Sequence, residues 1–132
     1  MTLGETDRMA KKKILVVDDS PTVRQQIQLA LKDCGFEIVE AGDGAEGLSR
    51  ITEDREIGLV ILDVNMPRMN GLEMLEKAKL AQENAGLLVI MLTSEGQQSL
   101  IERAKKAGAK GWIVKPFKAE LLAAAVRKLM AA

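Results

Sequence analysis

Hydrophobic residues in this chain follow two alternating rhythms. Short aliphatic runs at Lys13–Val17, Phe36–Ala41, Leu59–Leu62, Leu87–Leu92 and Trp112–Val114 read as buried strands. Between them, apolar residues recur at helical spacing. Val23, Ile27 and Leu31 fall at i, i+4, i+8. Leu48 with Ile51, and Leu72 with Leu75, mark a second and a third helix. A fourth spans about Gln97–Ala107, and a fifth runs from about Lys118 with Leu121, Ala125 and Leu129 on one face. The punctuation agrees. Ser20-Pro21 fits an N-cap followed by proline at the first helical position. Gly35 suits a helix end, Gly44 opens the second helix, and NMPRMNG is a loop. Strand then helix occurs five times. Unbroken apolar strands are expected where helices cover both faces of a sheet, and right-handed crossovers make that sheet parallel. The predicted fold is α/β, a doubly wound five-stranded parallel sheet in a three-layer (βα)5 sandwich.

Composition narrows the reading. The 132 residues suffice for one domain with a real core, and 47% hydrophobic with 29% charged residues is a globular balance. Residues 1–10 read as a flexible tail and 11–132 as the domain. Lys+Arg and Asp+Glu balance at 19 each, so no net field attracts nucleic acid or an anionic membrane. No apolar run reaches the length of a membrane span, and the N-terminus lacks a secretory signal. With one cysteine, Cys34, no internal disulfide can form, and a cytoplasmic protein is expected. The absence of histidine excludes Ser-His-Asp and Cys-His chemistry and disfavours a zinc site. A metal here should be a hard ion with oxygen ligands.

The unusual polar residues gather at strand ends. Asp18 and Asp19 follow the first strand, Asp63 ends the third, Thr93 ends the fourth and Lys115 follows the fifth. In open α/β sheets ligands bind outside the carboxyl ends, at a switch in strand order. In the order 2-1-3-4-5, strands one and three are neighbours about 4.8 Å apart, which brings three carboxylates together. Such a cluster repels itself, and a divalent cation would relieve it. Magnesium uses one or two carboxylates with a phosphate. A metal, a carboxylate nucleophile, a lysine and a hydroxyl are the parts of phosphoryl transfer. Taken singly each residue has a plainer reading: Asp18 and Asp19 as helix N-terminal acids, Asp63 as a turn former, Thr93 as a strand-end hydroxyl, Lys115 as a solvated cation. Their convergence on one edge favours a site.

VVDDS, ILDVNMPRMNG, MLTSE and GWIVKPF, in this order and spacing, resemble the receiver domain of two-component response regulators, closest to the single-domain chemotaxis (CheY-like) type. The resemblance covers about residues 12–130 and implies a flavodoxin-like fold. It implies Asp63 as phosphoacceptor. It implies Asp18, Asp19, Asp63 and the Asn65 carbonyl as magnesium ligands, Asp19 more directly than Asp18. Lys115 would contact the phosphoryl oxygens, and Thr93 would move toward them. Pro116 would follow a cis peptide that aims Lys115. Asn65 and Glu95 would tune hydrolysis of the acyl phosphate. Trp112 stands at the aromatic switch position, where tyrosine or phenylalanine is usual, so this chain departs from the pattern there.

The implied function is a phosphorylation-dependent switch, not an enzyme with a substrate of its own. A sensor histidine kinase or phosphotransfer protein would load Asp63. The changed surface of the fourth helix, fifth strand and fifth helix would regulate a partner protein. No output domain is expected beside the receiver in these 132 residues, so the output is expected to be a protein contact or a phosphate handed on. Two other classes share parts of the site. A phosphatase of the haloacid dehalogenase type would want Asp-x-Asp after its first strand, and Asp63-Val64-Asn65 breaks that pattern. A pseudo-receiver that is never phosphorylated would not need the complete set. Repulsion among the three carboxylates is expected to be relieved only by metal, so neutralising Asp18 or Asp19 should raise metal-free stability.

Overall fold

The computed structural model describes residues 12–66, 69–81, 84–94 and 98–131. The expected tail at 1–10 and Glu95 lie outside the described residues, as does Gln97 at the start of the fourth helix. Five strands alternate with five helices: β1 Lys13–Val17, α1 Pro21–Leu31, β2 Glu37–Ala41, α2 Gly44–Glu53, β3 Ile57–Asp63, α3 Gly71–Leu80, β4 Leu88–Thr93, α4 Gln98–Lys106, β5 Gly111–Val114 and α5 Ala119–Ala131. The sheet order is β2-β1-β3-β4-β5, and every pairing is parallel.

Apart from the edge strand β2, where Glu37 and Glu40 interrupt the run, the strands show why their apolar runs are unbroken. Successive side chains point to opposite faces. Leu15, Val17, Val60, Leu62, Val89 and Met91 enter one core with residues of α2, α3 and α4. Ile14, Val16, Leu59, Ile61, Ile90 and Leu92 enter the other, against α1 and α5. Each fully buried aliphatic side chain contributes about 1.5–3 kcal/mol, so both faces are needed to hold five short helices. Methionine serves the same packing, with Met66 8% exposed and Met69 against the first core.

The helix starts follow the capping residues. The Val23 N–H donates to Ser20 Oγ, the Glu46 N–H to Asp43 Oδ1 and the Glu73 N–H to Asn70 Oδ1. Glu46 also reaches back to accept from the Gly42 N–H at 2.6 Å, closing the α2 entrance. α1 ends at Leu31 with Lys32 as its cap, and Gly35, with φ of 84°, takes the left-handed conformation in the turn beyond it.

One helix face differs from the sequence reading. Leu121 is 58% exposed, whereas Leu122, Ala123 and Val126 are buried; Ala125 and Leu129 are partly buried. The run AELLAAAV is apolar nearly all round, so spacing alone does not choose its face. Packing against α1 and the sheet chooses it. Among the described residues, no helix is long and apolar enough to cross a membrane.

Candidate functional site

The strand order places five predicted residues at one edge. β1 stops at Val17, so Asp18 and Asp19 are the first two loop residues. Asp63 and Thr93 are the last residues of β3 and β4. One oxygen from each of Asp18, Asp19 and Asp63 lies within 4.8 Å of the others. Asp18 and Asp63 are 0% and 2% exposed, while Asp19 faces solvent.

Each acid is held differently. Asp18 Oδ1 accepts the Ser20 N–H at 2.9 Å, and its Oδ2 meets Lys115 Nζ at 3.0 Å. Arg24 Nη1 donates to the Asp18 carbonyl at 2.6 Å, while its Nε donates to Glu40 at 2.8 Å. Asp19 takes no such bond among the described residues. This leaves Asp19 the freer ligand. Asp63 Oδ1 accepts the Asn65 N–H at 3.3 Å and lies 3.3 Å from Lys115 Nζ. Asn65 Nδ2 makes long contacts to Thr93 Oγ1 at 3.5 Å and Ser94 Oγ at 3.4 Å.

Lys115 comes from the far side. Its N–H donates to the Thr93 carbonyl at 2.6 Å, and the Lys115–Pro116 peptide is cis. Its ammonium reaches past β4 to both buried carboxylates. The expectation that only a metal relieves the acidic cluster is therefore corrected: Lys115 already offsets part of the repulsion. Asp18, with both oxygens engaged, does not behave as a surplus charge. Its neutralisation would forfeit the Lys115 ion pair, so the expected gain in metal-free stability does not extend to it.

The electrostatics single out Asp63. Burial pushes its carboxyl above the ordinary range, and the Asp18 charge adds to this; Lys115 and the Asn65 N–H oppose it. Burial works against the Lys115 ammonium, but its hydrogen bond to Asp18 and the charges of Asp18 and Asp63 hold its pKa above the usual value. An acid and a base perturbed by each other at a sheet edge mark a candidate site on physical grounds.

The donors suit a hard cation. Three carboxylate oxygens, from Asp18, Asp19 and Asp63, lie within reach of one point and form an all-oxygen set. Trp112 stands apart from the carboxylates, pairing with Met91 and facing Ile101 and Ala104 of α4. Its Nε1 is buried without a hydrogen-bond partner among the described residues.

Some supporting residues escaped the sequence reading. Arg24 ties the Asp18 loop to β2 through Glu40 and carries no motif. Gly71 is required because a Cβ there would overlap the Asp63 carbonyl oxygen. The sequence marks NMPRMNG as a loop, but local spacing does not encode the closeness of Gly71 to Asp63.

A family model described as the response regulator receiver domain matches residues 14–127. A chemotaxis protein CheY homolog of Campylobacter jejuni is 39% identical over 111 residues, covering 83% of this chain and 85% of that protein. Chemotaxis protein CheY1 of Helicobacter pylori is 38% identical, covering 83% and 90%. The solved structure of Vibrio cholerae chemotaxis protein CheY4 superposes with a TM-score of 0.83 at 36% identity, covering 89% and 97%. The chain thus belongs to the response regulator receiver domain family, as a CheY-like signalling protein of two-component systems and not a conventional enzyme.

Proposed function

We propose that Asp63 is the phosphoacceptor of a magnesium-dependent switch. The observation that carries this is the junction of buried Asp63, Asp18 and Lys115 at one sheet edge. The chain has no histidine, so a phosphohistidine donor must belong to a partner, a sensor histidine kinase or phosphotransfer protein. The Asp63 carboxylate attacks phosphorus. The new O–P bond forms as the donor's P–N bond breaks, and the imidazole keeps the electron pair. Magnesium, held by Asp18, Asp19, Asp63 and the Asn65 carbonyl, would neutralise charge on the phosphoryl oxygens. Lys115 leaves its carboxylate partners to contact a phosphoryl oxygen, and the Thr93 hydroxyl donates to another.

These shifts alter the surface formed by α4, β5 and α5, to which Thr93, Trp112 and Lys115 are linked. The output is a population shift that changes affinity for a downstream protein. The chemotaxis names of the relatives make a chemotaxis output the reading to test first. Asn65 and Glu95 would tune hydrolysis by orienting water. Phosphoprotein should form from acetyl phosphate and magnesium in wild type and not in Asp63→Asn. Equal labelling of both proteins would overturn the assignment, and no labelling of either would favour a pseudo-receiver.

A further inference from the structure

A groove of about 610 Å³ opens between α1 and the β5–α5 turn. Its apolar wall is Val23, Leu29 and Ala30 on one side and Pro116 and Phe117 on the other; Lys115 and Ser94 are among its few polar groups. The volume lies within the usual range for small-molecule sites, which are largely apolar with a few fixed polar groups. Leu29 is 61% exposed, a large apolar side chain left largely uncovered by the described residues. Most apolar surface residues are unremarkable alone, but this one lines a concavity that also reaches Lys115 of the candidate site.

The connection is Lys115. The residue lines the groove, and its ammonium lies 3.3 Å from the Asp63 carboxylate. Ser94 also lines the groove and meets Asn65, two residues from Asp63. A phosphoryl group bridging Lys115 and Asp63 therefore sits against a residue that also lines the groove. The lysine supplies the positive charge that an anionic leaving group needs, and the wall beyond supplies apolar surface.

From this we infer that the groove is a subsite for the aliphatic tail of acyl phosphates, making medium-chain acyl phosphates better small-molecule donors than acetyl phosphate. The inference rests on Asp63 being the phosphoacceptor. In the reaction an Asp63 oxygen bonds to phosphorus while the bond from phosphorus to the acyl oxygen breaks. The carboxylate leaves with the electron pair, and no proton has to move. Lys115 steadies the charge that passes to the carboxylate, and the tail lies along Val23, Leu29, Ala30 and Phe117.

The test compares acetyl, butanoyl and octanoyl phosphate as donors to full-length protein with magnesium. Full burial of a methylene is worth about fourfold in binding, and one open side reduces this to about twofold. Butanoyl phosphate should then show a KM about fourfold below that of acetyl phosphate, and octanoyl phosphate lower still. Leu29→Gln and Ala119→Trp, both at exposed positions, should bring the butanoyl-to-acetyl ratio near one. A second readout needs no turnover. Octylphosphonate should shift the methyl NMR signals of Val23, Leu29 and Ala30 in metal-free protein, and methylphosphonate should not. Acetyl phosphate labelling with no chain-length preference would overturn the subsite while leaving Asp63 as phosphoacceptor, and would leave the groove to a protein partner. No labelling by any donor would overturn the Asp63 assignment itself.

Discussion

Replacing Asp63 with asparagine should stabilise the metal-free protein. Asp63 Oδ1 lies 3.3 Å from the Lys115 ammonium, an attraction of about 5 kcal/mol at an effective dielectric near 20. Against it stand two carboxylates within 4.8 Å. The buried one, Asp18, repels by at least about 3.5 kcal/mol on the same scale, and that of exposed Asp19 is weakened by solvent. Burial adds a further cost for an ionised group only 2% exposed. Burial is also the largest cause of the raised Asp63 pKa, so the ionised form is disfavoured on balance. Asparagine keeps the shape without the charge. A gain of about 1 kcal/mol is expected, roughly 3 °C in Tm for a chain of this size.

The pH dependence has a definite sign. The folded pKa of Asp63 lies above its unfolded value, so the folded protein holds that proton more tightly. Stability from this group is full below the ordinary carboxylate pKa and is lost as pH rises through the raised one. The variant has no such loss. Its advantage over wild type should be absent in acid, open across the carboxylate range and persist at neutral pH. Thermal unfolding in EDTA between about pH 4 and pH 8 measures this. Magnesium should reverse the order by stabilising wild type more. A metal-free Asp63→Asn Tm at or below wild type at neutral pH would refute the reasoning.

Lys115→Met leaves two buried carboxylates without their cation. It should cost about 3–5 kcal/mol in EDTA by urea unfolding, with part recovered on adding magnesium. Gly71→Ala forces its new methyl into the Asp63 carbonyl, so folded protein should be scarce, and any that folds should label poorly from acetyl phosphate. Lys79 Nζ donates to the carbonyls of Asn84, Ala85 and Leu87 at 3.3, 3.4 and 2.6 Å. Lys79→Met should therefore cost about 1–3 kcal/mol, with faster amide hydrogen exchange around Leu87. Trp112 is the sole tryptophan, and its emission should change when beryllofluoride and magnesium are added to wild type but not to Asp63→Asn.

The inner strands were legible because burial on both faces leaves almost no polar position within them, whereas the edge strand β2 carries Glu37 and Glu40. β1 begins and ends where its aliphatic run does, and the carboxylates became recognisable as the residues that interrupt the pattern at strand ends. The Ser20 cap was equally plain, since it works within three residues. The face of α5 was not, because AELLAAAV offers apolar residues in nearly every direction and only contact with α1 selects among them. The role of Lys115 in the metal-free site was hidden for a related reason. Its partners are 97 residues away in the case of Asp18, and motif order says nothing about which charge it meets first. The Arg24–Glu40 tie and the groove beside α1 likewise depend on two elements brought together, and no local spacing encodes them.

Lys115 takes part in four strands at once. Its main chain leaves β5 and bonds the end of β4, while its ammonium grips residues at the ends of β1 and β3. A binding partner that favours one position of the β5–α5 turn thereby favours one set of lysine contacts. Linkage makes such coupling run both ways with equal free energy. If Asp63 is the phosphoacceptor, a protein that prefers the phosphorylated surface would favour phosphorylation at equilibrium by the same free energy. The receiver is therefore informed by its target as much as the target is informed by it.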